Sequence, residues 1–249
     1  MTTSSSISPF QLHPATPTPT NHAFILSTFD SSLPFLASIG SHEQWGKTLF
    51  SQRGDFSEET LKELGSSEEY RLTGTSSIDG NLRIFIAERE LFNHHHTDSN
   101  KEETSEFEFV RVTSDGRRFL PVGFGYVREN WVPNYVKIQA HLPMPDGHIT
   151  NSASDGGGGF LYIEVMVTDR SGGDDRRELS RGAGAALIKG IRAYGEAKGM
   201  KTLWVDGWAG NERKLIRYYE EQGFQAVGEW SHIRANNVPW LGTLMCMEI

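Results

Sequence analysis

Apolar positions alternate most clearly in the second half of the chain, where Leu161 to Val167 reads as a strong β-strand. After a mostly polar insert, Thr168 to Ser180, a glycine turn opens a helix whose Leu187, Ile191 and Tyr194 share one face, and Gly199 ends it. Thr202 to Asp206 is the next strand; Asn211 caps a helix carrying Leu215, Ile216 and Tyr219, and Gly223 stops that helix before Phe224. Strands near Ala226 to Ile233 and Gly242 to Glu248 close the chain. In the first half, Ala23 to Leu26 reads as a short strand, and Asp30, Ser31 and Ser32 cap a helix through Leu33, Phe35, Leu36 and Ile39 to Gly40, with Pro34 in its first turn. Ser57 opens a second helix through Leu61 and Leu64, closed at Gly65. Asp79 to Asn81 turns into a strand from Leu82 to Ala87, and Phe107 to Val112 with Phe119 to Val127 form a hairpin around Asp115 and Gly116. Gly123 and Gly125 imply close backbone approach, and a long loop runs from Arg128 to Gly159.

Composition narrows the class of protein. A chain of 249 residues, 37% of them hydrophobic, can bury one sizeable core. The net charge of −8 and the isoelectric point near 5.6 speak against general binding to nucleic acid or to an anionic membrane, both of which need a basic field. Cys246 is the only cysteine, so no intrachain disulfide forms, which suits a reducing compartment. No apolar run is long enough to cross a bilayer. Residues 1–21, rich in Ser, Thr and Pro, read as a disordered tail without the marks of a secretory or mitochondrial leader. One domain is expected over 22–249, in a cytoplasmic or nucleocytoplasmic protein. His94, His95 and His96 lie in a polar insert and cannot share one helical or strand face, so they read as solvated loop and no metal is expected.

The richest chemistry lies at Arg181 to Ala186. Its glycines, Gly182 and Gly184, let the backbone approach a ligand closely, and the unpaired N–H groups of the helix's first turn point at bound anion. A dinucleotide fingerprint is opposed by Leu187 where its third glycine belongs and by the long insert between strand and turn. A P-loop at Gly46, Lys47 and Thr48 fails because Gly40 is one residue too far away.

Arg181-Gly182-Ala183-Gly184-Ala185-Ala186 matches the Arg/Gln-x-x-Gly-x-Gly/Ala motif, and the chain around it resembles the GNAT superfamily of acetyl-CoA-dependent N-acetyltransferases. The strand before the motif, the strand after it, Asn211, and Tyr219 four residues ahead of Gly223 and Phe224 follow in the family's order. Gly40, Ser41, Gln44, Trp45 and Gly46 are similar to a Gly-Ser-x-x-Gln-Trp-Gly stretch of one subgroup. The resemblance departs from the family in the inserts at 93–106, 128–159 and 169–178.

That resemblance implies an α/β fold with a mixed, mostly antiparallel sheet flanked by helices. It implies that the backbone of Val165, Met166 and Val167 pairs with the pantetheine arm, with the Val167 N–H at the oxyanion. The pyrophosphate would lie on the amides of Arg181, Gly182, Ala183, Gly184, Ala185 and Ala186, and Asn211 would bind the pantetheine. Tyr219 takes the role of general acid toward the departing thiolate, although its spacing from Leu215 also suits a core aromatic. Glu164 and Asp206 are the candidate bases; alternation puts Glu164 on the face opposite Val165 and Val167. Glu43, Trp45 and Trp131 are candidates for the acceptor, expected to be a small-molecule primary amine, with a peptide or protein amine as the alternative. A non-catalytic acyl-CoA sensor is the other class of reading. The resemblance is compatible with a monomer or a homodimer.

Overall fold

The computed structural model describes residues 8–91, 107–145, 158–233 and 239–249. Eight strands form one sheet in the order β1-β2-β4-β5-β6-β8-β7, with β3 paired to β4. The strands are β1 (Phe10–Pro14), β2 (Arg83–Leu91), β3 (Arg111–Val112), β4 (Arg118–Glu129), β5 (Phe160–Thr168), β6 (Thr202–Trp208), β7 (Gln225–Ile233) and β8 (Pro239–Glu248). Every pairing is antiparallel except that of β5 with β6. One face carries α1 (Pro19–Ser38) and α2 (Phe56–Thr73); the other carries α5 (Ala183–Ala197) and α6 (Gly210–Glu221). Two short helices complete the set, α3 (Asn134–Lys137) and α4 (Asp174–Ser180). No helix among the described residues is long and apolar enough to cross a membrane.

The first forty residues depart most from the sequence expectation. The stretch expected as a disordered tail contains β1, whose Phe10 and Leu12 pack under α5, Leu12 lying where a side chain on Gly190 would be. Two apolar residues in alternation outweigh a composition that otherwise reads as tail. The Ala23 to Leu26 strand and the later helix merge into one helix capped by Thr18, whose hydroxyl accepts from the Asn21 N–H at 3.2 Å. Its buried residues, Phe24 and Ile25, Thr28 and Phe29, Ser32 and Leu33, recur with helical period, and this decides the matter over a four-residue apolar run. Pro34 therefore lies inside the helix. Helix α2 runs through Gly65 and stops at Gly74. The expected hairpin keeps its turn, but its first strand shrinks to Arg111 and Val112.

The second half holds closer to expectation. Gly123 and Gly125 lie under Leu187 and Ile191 of α5, where a side chain would meet the Val167 carbonyl oxygen at 2.7 Å and the Ile191 Cδ1 at 3.3 Å. The insert before the glycine turn folds as α4, pinned by a buried ion pair in which Arg176 Nε donates to Asp169 Oδ2 at 2.6 Å. Asp169 also accepts from Ser31 Oγ at 3.3 Å, which ties the end of β5 to α1. Arg177 stays exposed beside Asp174. The expected cap at Asn211 is absent: Asn211, Glu212 and Arg213 adopt left-handed backbone at φ 48°, 55° and 61°, and right-handed helix follows them.

Candidate functional site

The decisive local feature is a β-bulge. Tyr126 pairs with Val165 and Val127 with Ile163, so Glu164 is the extra residue on β5. Beyond it β5 swings away from β6: the parallel pairing covers only Phe160 to Ile163 against Thr202 to Val205. The second half of β5 thus bonds β4 on one edge and has no strand partner on the other among the described residues. The bulge also corrects the expectation from simple alternation. Glu164 lies on the face of Tyr126 and Tyr162, where Arg128 donates to it through Nε at 2.6 Å.

A cavity of about 440 Å³ opens at this splayed edge. Met166, Val167 and Thr168 of β5 form its floor, the glycine turn and α6 one wall, and the C-terminal half of α1 the other. Gly182 holds φ 89° as the residue before α5, a conformation that favours glycine. The N–H groups of Ala183, Gly184 and Ala185 are those that a helix start leaves without an intrahelical acceptor. Gly184 is a close-approach site, because a Cβ there would collide with the Tyr218 hydroxyl. Arg170, Arg181 and Lys214 bring positive charge to the lining. Arg170 lies with its guanidinium 4.1 Å from the centre of the Phe35 ring, an arrangement of cation–π type.

Most of the residues expected to hold a donor meet here. Met166, Val167, Arg181, Gly182, Gly184 and Ala185 line the cavity. Val165 instead packs with the α1 and α2 core, and Ala183 is fully buried under α5. The Ala186 N–H is already bonded to the Gly182 carbonyl at 3.0 Å, so its amide is spent within the helix. Asn211 is also committed elsewhere: its Nδ2 donates to the Ile39 carbonyl and to Ser41 Oγ, each at 2.7 Å, which ties the start of α6 to the end of α1. Arg170 and Tyr218 were not singled out by the sequence for a role at the donor site. The three-residue spacing from Tyr218 back to Leu215 was their one readable signal, and it fits many helix faces.

Tyr219 reaches the same cavity from α6 while its ring packs edge-on against Phe224 at 5.5 Å. Burial holds its hydroxyl well above the ordinary phenol value, so it is a neutral proton donor at physiological pH. Tyr218 is pushed up to about 12, again by burial, with Arg170 opposing. Trp45 lines the cavity and meets Phe29 and Phe50 edge-on at 6.0 and 5.5 Å. Glu43 is exposed and outside that lining; its neighbour Gln44 takes the position.

A second group of polar residues lies on the face of α1 and α2. Asp206 accepts from the Tyr135 hydroxyl at 3.2 Å and from the Tyr162 hydroxyl, and burial pushes its carboxyl up to about 6 against the pull of those bonds. Arg128 is the centre of the group. Besides Glu164 it donates to the Asp79 carbonyl at 2.6 Å, lies 4.7 Å over the Trp131 ring, and approaches Glu63 of α2 at 3.7 Å. Trp131 thus supports Arg128 and does not line the cavity. The Glu63 carboxyl is pushed up to about 7, first by burial and then by the Glu164 carboxylate. Nothing in the sequence marks Glu63, Arg128 or Tyr135, which come together only through tertiary packing. No group of His, Cys, Asp and Glu among the described residues could hold a metal ion, and His94 to His96 lie outside the described residues.

No protein-family model and no curated protein sequence matches the chain. Among solved structures, a putative acetyltransferase from Acinetobacter baylyi is similar over 96% of this chain and 93% of its own, at 12% identity and a TM-score of 0.51. The chain shares the fold of that putative acetyltransferase. An aminoglycoside acetyltransferase, AAC(6')-Ib in complex with coenzyme A, is similar at 13% identity and a TM-score of 0.48, over 96% of this chain and 94% of that one. A ribosomal-protein-alanine N-acetyltransferase from Brucella melitensis gives the same identity and score, over 96% and 99%. Within this fold, the bulge, the splay and the glycine turn fall side by side around one cavity.

Proposed function

We propose that this chain is an acetyl-CoA-dependent N-acetyltransferase acting on a small-molecule primary amine. The observation that carries the reading is the unpaired edge of β5 beyond Glu164, lying in one cavity with the open start of α5 and the Tyr219 hydroxyl. An extended amide-bearing arm can pair with that edge, and a pyrophosphate can take the N–H groups of Gly184 and Ala185. Arg181 adds charge from the rim, where it also pairs with Glu178 at 2.8 Å. Acetyl-CoA supplies an activated thioester as donor substrate.

The chain's own residues then divide the proton work. Glu164, beside the splay, takes the proton from the acceptor ammonium, and the freed amine lone pair attacks the thioester carbonyl. The Val167 N–H offers a donor to the oxygen that becomes negative. As the C–N bond forms and the C–S bond breaks, Tyr219 gives its proton to the leaving thiolate, the nitrogen sheds its second proton to solvent, and the Tyr219 phenolate regains one from solvent. Asp206 is spent on two tyrosine hydroxyls, which favours Glu164 as the base. Glu63, Glu164 and Asp206 gather negative charge that attracts an ammonium, beside Trp131 and Tyr135. The lone cysteine fits a cytoplasmic setting.

The test is release of free thiol from acetyl-CoA against a library of primary amines, with peptides bearing a free N-terminus or lysine as a separate arm. Turnover with a subset of the small amines is expected. Turnover confined to peptides would reassign the acceptor, binding of acetyl-CoA without turnover would make the chain a sensor, and neither binding nor turnover would end the reading.

A further inference from the structure

Glu63 stands out because it belongs to neither the splayed strands nor the glycine turn, yet α2 directs it at the proposed base. Arg128 has one guanidinium for two carboxylates: Nε is 2.6 Å from Glu164 Oε2 and Nη2 is 3.7 Å from Glu63 Oε1. The guanidinium cannot move away from this choice. It is fixed by the Asp79 carbonyl and the Trp131 ring, and its side chain is only 9% exposed. A second observation points into the same space. The Tyr126 hydroxyl is buried beside Thr60 of α2, on a residue 3% exposed, and it feels the charge of both Glu63 and Glu164.

Resting on the acetyltransferase reading, we propose that Glu63 is a positioning residue of the acceptor site, which by competing with Glu164 for Arg128 decides whether Glu164 is free to take the acceptor's proton. While Glu63 is protonated, Arg128 belongs to Glu164 and neutralises it, which makes Glu164 a poor base. Once Glu63 ionises, it claims part of the guanidinium and repels the neighbouring carboxylate, and Glu164 turns toward the ammonium. The groups facing Glu63 are Glu59 on its own helix, Glu164 on β5, and Arg128 and Tyr126 on β4. Its carboxyl is pushed up to about 7, so the exchange falls in the physiological range. No bond is made or broken by Glu63 beyond its own proton, which comes from and returns to solvent.

The test has two arms. In the first, the Arg128 Nε–H resonance is followed by NMR as pH rises, with no substrate present. It is expected to shift with a midpoint near 7, to lose that step in Glu63→Gln, and to regain one in Glu63→Asp. In the second arm, on whichever amine proves a substrate, Glu63→Gln is expected to lose the acid limb of the pH profile. It should also lower kcat about tenfold above that limb while leaving the KM for acetyl-CoA unchanged, a change equivalent to about one pK unit. An identical Arg128 titration in wild type and Glu63→Gln would overturn the proposal, as would an unchanged pH profile. If no amine is acetylated, the functional reading fails while the NMR arm still decides whether Glu63 and Glu164 share Arg128.

Discussion

The proposed donor and acceptor ends of the site are built on different principles. The donor cavity relies on backbone: an unpaired strand edge, the N–H groups at the start of α5, and glycines that keep side chains out of the way. The acceptor side relies on side chains, with Glu63, Arg128, Glu164, Asp206 and Tyr135 arriving from α2, β4, β5, β6 and α3. Backbone recognition reads features common to any acyl-CoA and needs only a local conformation. Side-chain recognition has to be assembled from distant segments, and it can change with the substrate while the donor side stays fixed. The bulge at Glu164 is where the two meet, since it both frees the strand edge and aims the carboxylate.

The sharpest way to separate the two sides is to remove the group at their junction. Glu164→Gln should lower kcat by about 10²- to 10⁴-fold, the usual loss on removing a general base, while acetyl-CoA affinity measured by calorimetry stays within a factor of two or so. A parallel loss of donor affinity would mean that the carboxylate shapes the strand edge and is not the base. Next in size is a break confined to the donor side. Gly184→Val drives a side chain into Tyr218, and donor affinity should fall about 100-fold, equivalent to an overpacking cost of 1–3 kcal/mol. The NMR titration of Arg128 should be untouched by that change, since its group lies outside the cavity lining. If the Arg128 titration moved as well, the two sides would be one cooperative unit and the contrast would dissolve.

This division also explains what could be read from the sequence. The second half of the fold was legible because its strand, turn and helix signals are local and agree with one another, from Leu161 through Gly182 to Gly223. Of the residues expected at a donor site or as its general acid, Met166, Val167, Gly182, Gly184 and Tyr219 line one cavity. Asn211 failed because a left-handed run at 211–213 turns its amide toward α1, and no residue-type preference announces three such non-glycine residues in succession. The β1 strand failed because Phe10 and Leu12 find their partners in β2 and α5, far along the chain. Glu63 was illegible for the same reason: on α2 it reads as one more carboxylate of a solvated helix face until β4 and β5 are packed beneath it.

Smaller effects sharpen the contrast further. Tyr219→Phe removes one hydroxyl and keeps the ring against Phe224, so the core should survive. Turnover should drop about 10- to 100-fold, toward the low end of acid catalysis, with donor affinity unchanged. Stopped-flow detection of thiolate release checks this, and unaltered turnover would return Tyr219 to a purely structural role.

The smallest expected effect is on stability and concerns Asp206. Its carboxyl is raised from 3.8 to about 6 in the folded protein, mainly by burial, so the folded state holds this proton more tightly than the unfolded chain. The stability contributed by that proton is complete below pH 3.8 and is lost as pH rises through about 6. Asparagine cannot ionise, yet its side-chain oxygen can still accept from Tyr135 and Tyr162. Asp206→Asn should therefore match wild type at pH 4 and exceed it at pH 8 by about 1 kcal/mol, with the partial exposure of the carboxyl limiting the gain. Urea unfolding at the two pH values measures the difference. A variant less stable than wild type at pH 8 would mean that the tyrosine hydroxyls need the full negative charge. Asp206 would then serve the proposed acceptor side as an electrostatic anchor for Tyr135 and Tyr162.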